Sequence, residues 1–105
     1  MLIVNTEEIA HQEITETLGL VRGNSTRARF FGRDFLAFLK NIVGGEVSEY
    51  SDLLTSTRNA AMERMIEEAN KLGADAVVNV RFTTSNVAQG ISEILAFGTA
   101  VKLKD

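Results

Sequence analysis

"LGADAVVNVRFTTSN", Leu72–Asn86, is the stretch that decides the fold. Leu72 and Gly73 end a helical pattern, because a glycine just past the last turn adopts the left-handed conformation without steric cost. The β-branched residues that follow suit a pleated surface and predict a strand. Two-residue periodicity puts Ala76, Val78, Val80 and Phe82 on one face. It puts Asp75, Val77, Asn79, Arg81 and Thr83 on the other. That second face is only half polar, so what it meets bears on the whole architecture.

Upstream, the helix that Gly73 closes starts near Ser48 or Ser51. Its apolar stripe holds Tyr50, Leu53, Leu54, Ala61, Met65, Ala69 and Leu72, while Asn59, Glu63, Glu67 and Asn70 point away. Before it, "FFGRDFLAFLKNIVGG" (Phe30–Gly45) predicts a first, shorter helix with a wide apolar arc from Phe31 to Val43. Earlier still, "QEITETLGLVRG" (Gln12–Gly23) reads as a strand. Ile14, Leu18 and Leu20 share one face with Glu16; Thr15, Thr17, Gly19 and Val21 share the other. The "LIV" near the start is expected to make a small edge strand. Downstream, "NVAQG" predicts a hairpin connection. The final strand, "ISEILAFGTAVKLK", is apolar or small on both faces, which places it at the centre of a sheet.

The order is therefore strand, two helices, strand, strand. A crossover leaves room for the last strand between its partners, giving a three-stranded antiparallel sheet with the last strand central. The expected class is α+β, a two-layer β-α-β-β unit forming one domain over residues 1–105.

The chain has 105 residues, 45% of them hydrophobic, with a net charge of −3. That is enough for one modest core, and it exerts no general pull on nucleic acid or anionic membranes. There is no cysteine and no proline. No apolar run approaches the roughly 18 residues of a membrane span, and no signal peptide is expected at the start. A cytoplasmic protein without a cofactor is the expectation.

Helices can cover only one face of the sheet. The other is expected to collect Thr15, Thr17, Gly19, Val21, Val77, Asn79, Arg81, Ala96, Gly98 and Ala100. Few charges and very small side chains there predict self-association, through this face or through the wide apolar arc of the first helix, with Thr17, Gly19, Val77, Asn79, Ala96, Gly98 and Ala100 expected at the subunit interface.

"GLVRG" (Gly19–Gly23), "GGEVSEYSDLLTSTRNAAMERMIEEANKLGADAVVNVRF" (Gly44–Phe82) and "AFGTAVKL" (Ala96–Leu103) resemble the YbjQ-like family of small uncharacterised bacterial proteins. The resemblance spans nearly the whole chain. It implies a dodecin-like unit and a ring-shaped homopentamer in which extra short strands join subunits. It also implies a heavy-metal-binding label, with no established activity.

Soft and borderline metals need thiolates and imidazoles. This chain offers one histidine, His11, with Glu8 at Glu-x-x-His spacing, and no second copy of the pattern. A metal site within one subunit is not expected. A ring could converge several copies of His11 on its axis. Met62 and Met65 read as core filler.

Arg58 falls inside the helical stripe by angle, and a buried guanidinium needs a partner. Glu46 and Glu93 are the candidates, with Tyr50 nearby. A ligand site would draw on Glu46, Tyr50, Arg58 and Arg81, with arginine clamping an anion or small molecule. Arg22, Arg27, Arg29 and Arg33 form a basic cluster against Asp34. No exposed aromatic platform interleaves with it, so nucleic acid is not an expected partner.

No nucleophile motif, phosphate loop or dinucleotide fingerprint is present. Three readings follow. The first is a homo-oligomeric binding or scaffold protein. The second is a metal- or anion-binding ring with intersubunit sites. The third, less favoured, is an enzyme using Tyr50, Glu46 and Arg58.

Overall fold

The computed structural model describes residues 1–27, 47–88 and 91–105. They form β1 (Leu2–Ile3), β2 (Ile14–Arg27), the helix α1 (Val47–Lys71), β3 (Ala76–Ala88) and β4 (Ile91–Leu103). The expected first helix, Phe30–Gly45, lies outside the described residues.

The sheet runs β1-β3-β4-β2. β4 is central and antiparallel to both β2 and β3. The last strand therefore sits where its two-sided apolar pattern requires. The expected three strands become four among the described residues, because β1 pairs parallel to β3 through Leu2–Ala76 and Ile3–Val77. The sheet is thus mixed, not purely antiparallel.

α1 ends as its sequence dictates. Gly73 has φ 77°. Its N–H donates to the Asn70 carbonyl at 3.0 Å, and the Ala74 N–H donates to Ala69 at 3.1 Å. This pair of bonds satisfies carbonyls that the last turn would leave orphaned. The Asp75 N–H then donates to the Val101 carbonyl at 2.9 Å, and its carboxylate accepts the Leu103 N–H at 2.8 Å. The turn out of the helix thereby sets the register of β3 on β4.

Three turns of α1 bury Ala61, Met65 and Ala69, each fully buried, with Thr57 one turn earlier almost so. Against them lie Val21 of β2, Ile94, Ala96 and Ala100 of β4, and Val77 and Val80 of β3. Cross-strand partners share a face. Gly23 pairs with Ala96, and Gly98 with Val21, so both glycines also lie beneath this layer. A Cβ on Gly23 would run into the backbone of Ala61, Arg64 and Met65. The helix can come this close only because β2 presents no side chain at that point. Arg64 then donates to the Asn24 carbonyl and ties the helix to the edge strand.

This arrangement corrects the expected interface. Val77, Ala96, Gly98 and Ala100 do not lie on the uncovered face; α1 of the same chain covers that side. Small residues mark where a helix backbone descends on the sheet. Thr17 is exposed and pairs with Val101 on the opposite face. Gly19 is half-buried, with φ 128° at an irregularity in β2.

The other correction concerns β3. Between Val78 and Arg81 the ladder slips. Asn79 takes φ 55°, and the extra residue makes a bulge. Val77 and Val80 consequently share the helix side, and Val78 turns to the reverse side. There Ala76, Val78 and Val101 pack with Val4, Ile9, Ile14 and Leu103 from the N-terminal segment and the strand ends.

Candidate functional site

The reverse face divides in two. Its lower part is the small cluster roofed by Ile9. Register places Leu20, Arg22 and Asn24 of β2 beside Thr99, Phe97 and Leu95 of β4. Arg81 and Thr83 of β3 complete these rows. Leu20 is 66% exposed. Leu95 and Phe97 are half-buried. Among the described residues no element covers them. Register sets Phe97 between Arg22 and Arg81, but the Arg81 guanidinium turns to the β1–β3 edge, where it meets the Asn5 carbonyl.

A second feature lies on the helix side. α1 packs mainly over β2 and β4, so the β1–β3 edge is left partly open. The result is a groove of about 710 Å³ lined by Ile3, Val4, Asn5, Thr6, Met62, Val80, Arg81 and Phe82. Phe82 is 41% exposed there. The chain after β1 hugs this edge. Val80 N–H donates to Val4 at 3.1 Å, and Asn79 N–H donates to Thr6 at 2.8 Å. Arg81 Nη1 donates to the Asn5 carbonyl at 3.1 Å.

Of the residues expected to form a ligand site, Arg58 and Arg81 are both exposed. Arg58 is not in the buried stripe: Thr57 is, four residues before Ala61. Helical angle alone could not separate neighbours at the edge of the stripe. Arg58 therefore needs no buried carboxylate. Its candidate partner Glu93 instead accepts a bond from Asn24 Nδ2 at 3.3 Å. Glu46 and the Tyr50 side chain lie outside the described residues, as do Arg29, Arg33, Asp34 and the Arg27 side chain. Of the basic cluster only the exposed Arg22 is placed.

Sequence reasoning missed Met62, Phe82 and the Ile3–Thr6 edge as a groove. The signal was present in Asn79. A residue tolerant of positive φ within a β-branched run marks a bulge, and the bulge turns Val80 onto the helix side, among the groove residues.

The model of a family described as "Putative heavy-metal-binding" matches residues 1–104. The chain belongs to the YbjQ family. Three YbjQ-type relatives, each named UPF0145 protein, show how closely. One from Halorubrum lacusprofundi is 58% identical, with 99% of this chain and 100% of the relative covered. One from Archaeoglobus fulgidus is 56% identical over 99% and 96%. One from Vibrio campbellii is 54% identical over 98% and 99%. The fold is also similar to a crystal structure of a protein of unknown function from Pediococcus pentosaceus, of the DUF74 family. That match has TM-score 0.67 and 15% identity, covering 99% of this chain and 98% of the other.

The YbjQ description raises the question of metal donors, and the residues present do not fit a heavy-metal ion. The chain has no cysteine and one histidine. His11 and Glu8 are both exposed in the loop before β2. Among the described residues no three His, Cys, Asp or Glu side chains cluster as a metal site. Met65 is sealed in the core. A lone imidazole with a loop carboxylate lacks the three or four convergent donors that such ions require.

Proposed function

We propose that the protein is a cytoplasmic, single-domain homo-oligomer acting as a binding or scaffold protein, with a second copy of the chain seated on the reverse face. The observation that carries this reading is the patch of Leu20, Leu95 and Phe97 on adjacent rows of β2 and β4, which no other element covers among the described residues. Large apolar side chains on an open sheet face mark a contact surface when they are contiguous.

β2 is also an edge strand among the described residues, and its outward N–H and C=O groups suit pairing with another chain. The family resemblance favours five copies in a ring.

Sedimentation velocity tests the reading. The wild type is expected to sediment as one closed oligomer across micromolar concentrations. Leu20→Glu should release monomers whose far-UV circular dichroism is unchanged. A wild-type chain that stays monomeric would refute the assembly.

A further inference from the structure

The groove at the β1–β3 edge has the size and lining of a ligand site. Its volume of about 710 Å³ falls within the roughly 300–1,000 Å³ typical of small-molecule pockets. Ile3, Val4, Met62, Val80 and Phe82 give it apolar surface, and Asn5, Thr6 and Arg81 supply its polar groups. Met62 is an unbranched, adaptable side chain suited to a flexible apolar ligand.

Arg81 decides the class of ligand. Its Nη1 reaches the carbonyls of Asn5 at 3.1 Å and Val80 at 3.4 Å. Those carbonyls orient the guanidinium but do not neutralise it. Among the described residues no carboxylate pairs with it; the ion pair found there is Lys104–Glu13, at 3.7 Å. A guanidinium carries five N–H donors, so most remain free for an anion. Among the described residues no second cationic side chain lines the groove, which disfavours a phosphate dianion.

We infer that this groove binds a linear aliphatic monocarboxylate. The chain lies along Met62, Val80 and Phe82, and the carboxylate meets Arg81. The inference stands on the groove alone and does not depend on the assembly proposed above.

Decanoate, titrated below its micellar range by calorimetry, is the probe. One saturable site per chain is expected, with the Met62 methyl resonance shifting more than that of buried Met65. Decanol, of the same length but uncharged, should bind about tenfold more weakly, and Arg81→Gln should bring decanoate to the level of decanol. Inorganic phosphate should not compete. Phe82→Ser, at an exposed position, should weaken both probes without unfolding the chain. Leu20→Glu should leave decanoate binding intact even where assembly is lost. Equal affinity for decanoate and decanol, or indifference to Arg81→Gln in a folded variant, would overturn the assignment. So would absence of saturable binding, or binding that emerges only on dilution as a second copy leaves the groove.

Discussion

Where α1 comes closest, the two faces of the sheet differ in the size of their side chains. Under α1 the closest approach is lined by Gly23, Ala96, Gly98 and Ala100, flanked by Val21, Val77, Val80 and Ile94, and the helix answers with Ala61, Met65 and Ala69. On the reverse face the same strands present Leu20, Leu95 and Phe97. Both sets are apolar, so hydrophobicity alone does not say which one meets the helix. Size does. A helix backbone can settle onto β2 only where side chains are absent or minimal. The larger groups, which would hold it away, stand on the other side, where the proposed second copy would sit. Glycine and alanine at the β2–β4 contact thus report the close approach of the chain's own helix, and the proposed assembly assigns the larger groups on the open face to a second copy.

The largest expected effect tests the close approach. Gly23→Val puts a branched side chain into the backbone at Ala61, Arg64 and Met65. Neither backbone can give way cheaply, so the helix must lift and the Arg64–Asn24 bond must break. A loss of about 3 kcal/mol or more is expected in urea unfolding. A variant as stable as the wild type would mean that the helix does not sit where this comparison needs it. Next comes Met65→Ala, which empties the centre of the same layer. Met65 is fully buried, and a loss of about 2–4 kcal/mol is expected by the same measurement. On the opposite face Leu20→Glu should change the stability of the isolated subunit by less than about 0.5 kcal/mol. Its effect should instead be to abolish the dependence of Tm on protein concentration that an oligomer shows. A large loss of subunit stability would move Leu20 into the core and collapse the distinction between the faces.

Much of the topology was readable from residue order. The two-sided apolar character of Ile91–Leu103 placed β4 at the centre. Gly73 ended the helix, and Leu2–Ile3 gave the edge strand. The faces were harder, for two physical reasons. Strict alternation assumes an unbroken ladder, and β3 breaks it at Asn79 while β2 breaks it between Thr17 and Gly19. A single extra residue inverts every side chain beyond it. Size was also read in the wrong sense: Ala96, Gly98 and Ala100 suggested an exposed contact surface, whereas they accommodate the chain's own helix and valines. A Cβ on Gly98 would lie 2.8 Å from Val77 Cγ1 and 3.1 Å from Val80 Cγ2. Of the candidate site, Arg81 was legible as an arginine on a half-polar strand. Its neighbours Ile3, Met62 and Phe82 come from three separate elements, and only the folded edge brings them together.

The smallest effect isolates the bulge that sorts the two faces. Asn79 has φ 55°, and its buried Oδ1 has no hydrogen-bond partner. Asn79→Gly removes that acceptor and fits the left-handed backbone without strain. Freeing a buried acceptor from its desolvation cost stabilises by about 1 kcal/mol or more. The greater freedom of an unfolded glycine takes back about 0.4–1 kcal/mol. The net expectation is a small gain, of order 0.5 kcal/mol, with the fold and the β1 pairing intact. Asn79→Val, by contrast, must adopt a conformation that costs an ordinary residue about 1–2 kcal/mol, or else abandon the bulge. If it abandons the bulge, Val80 and Phe82 reverse their faces and the groove loses its floor. Decanoate binding should then disappear along with the stability, which Asn79→Gly would leave untouched. Equal losses in both variants would show instead that the amide of Asn79 holds a partner, and that positive φ alone does not fix this turn of the strand.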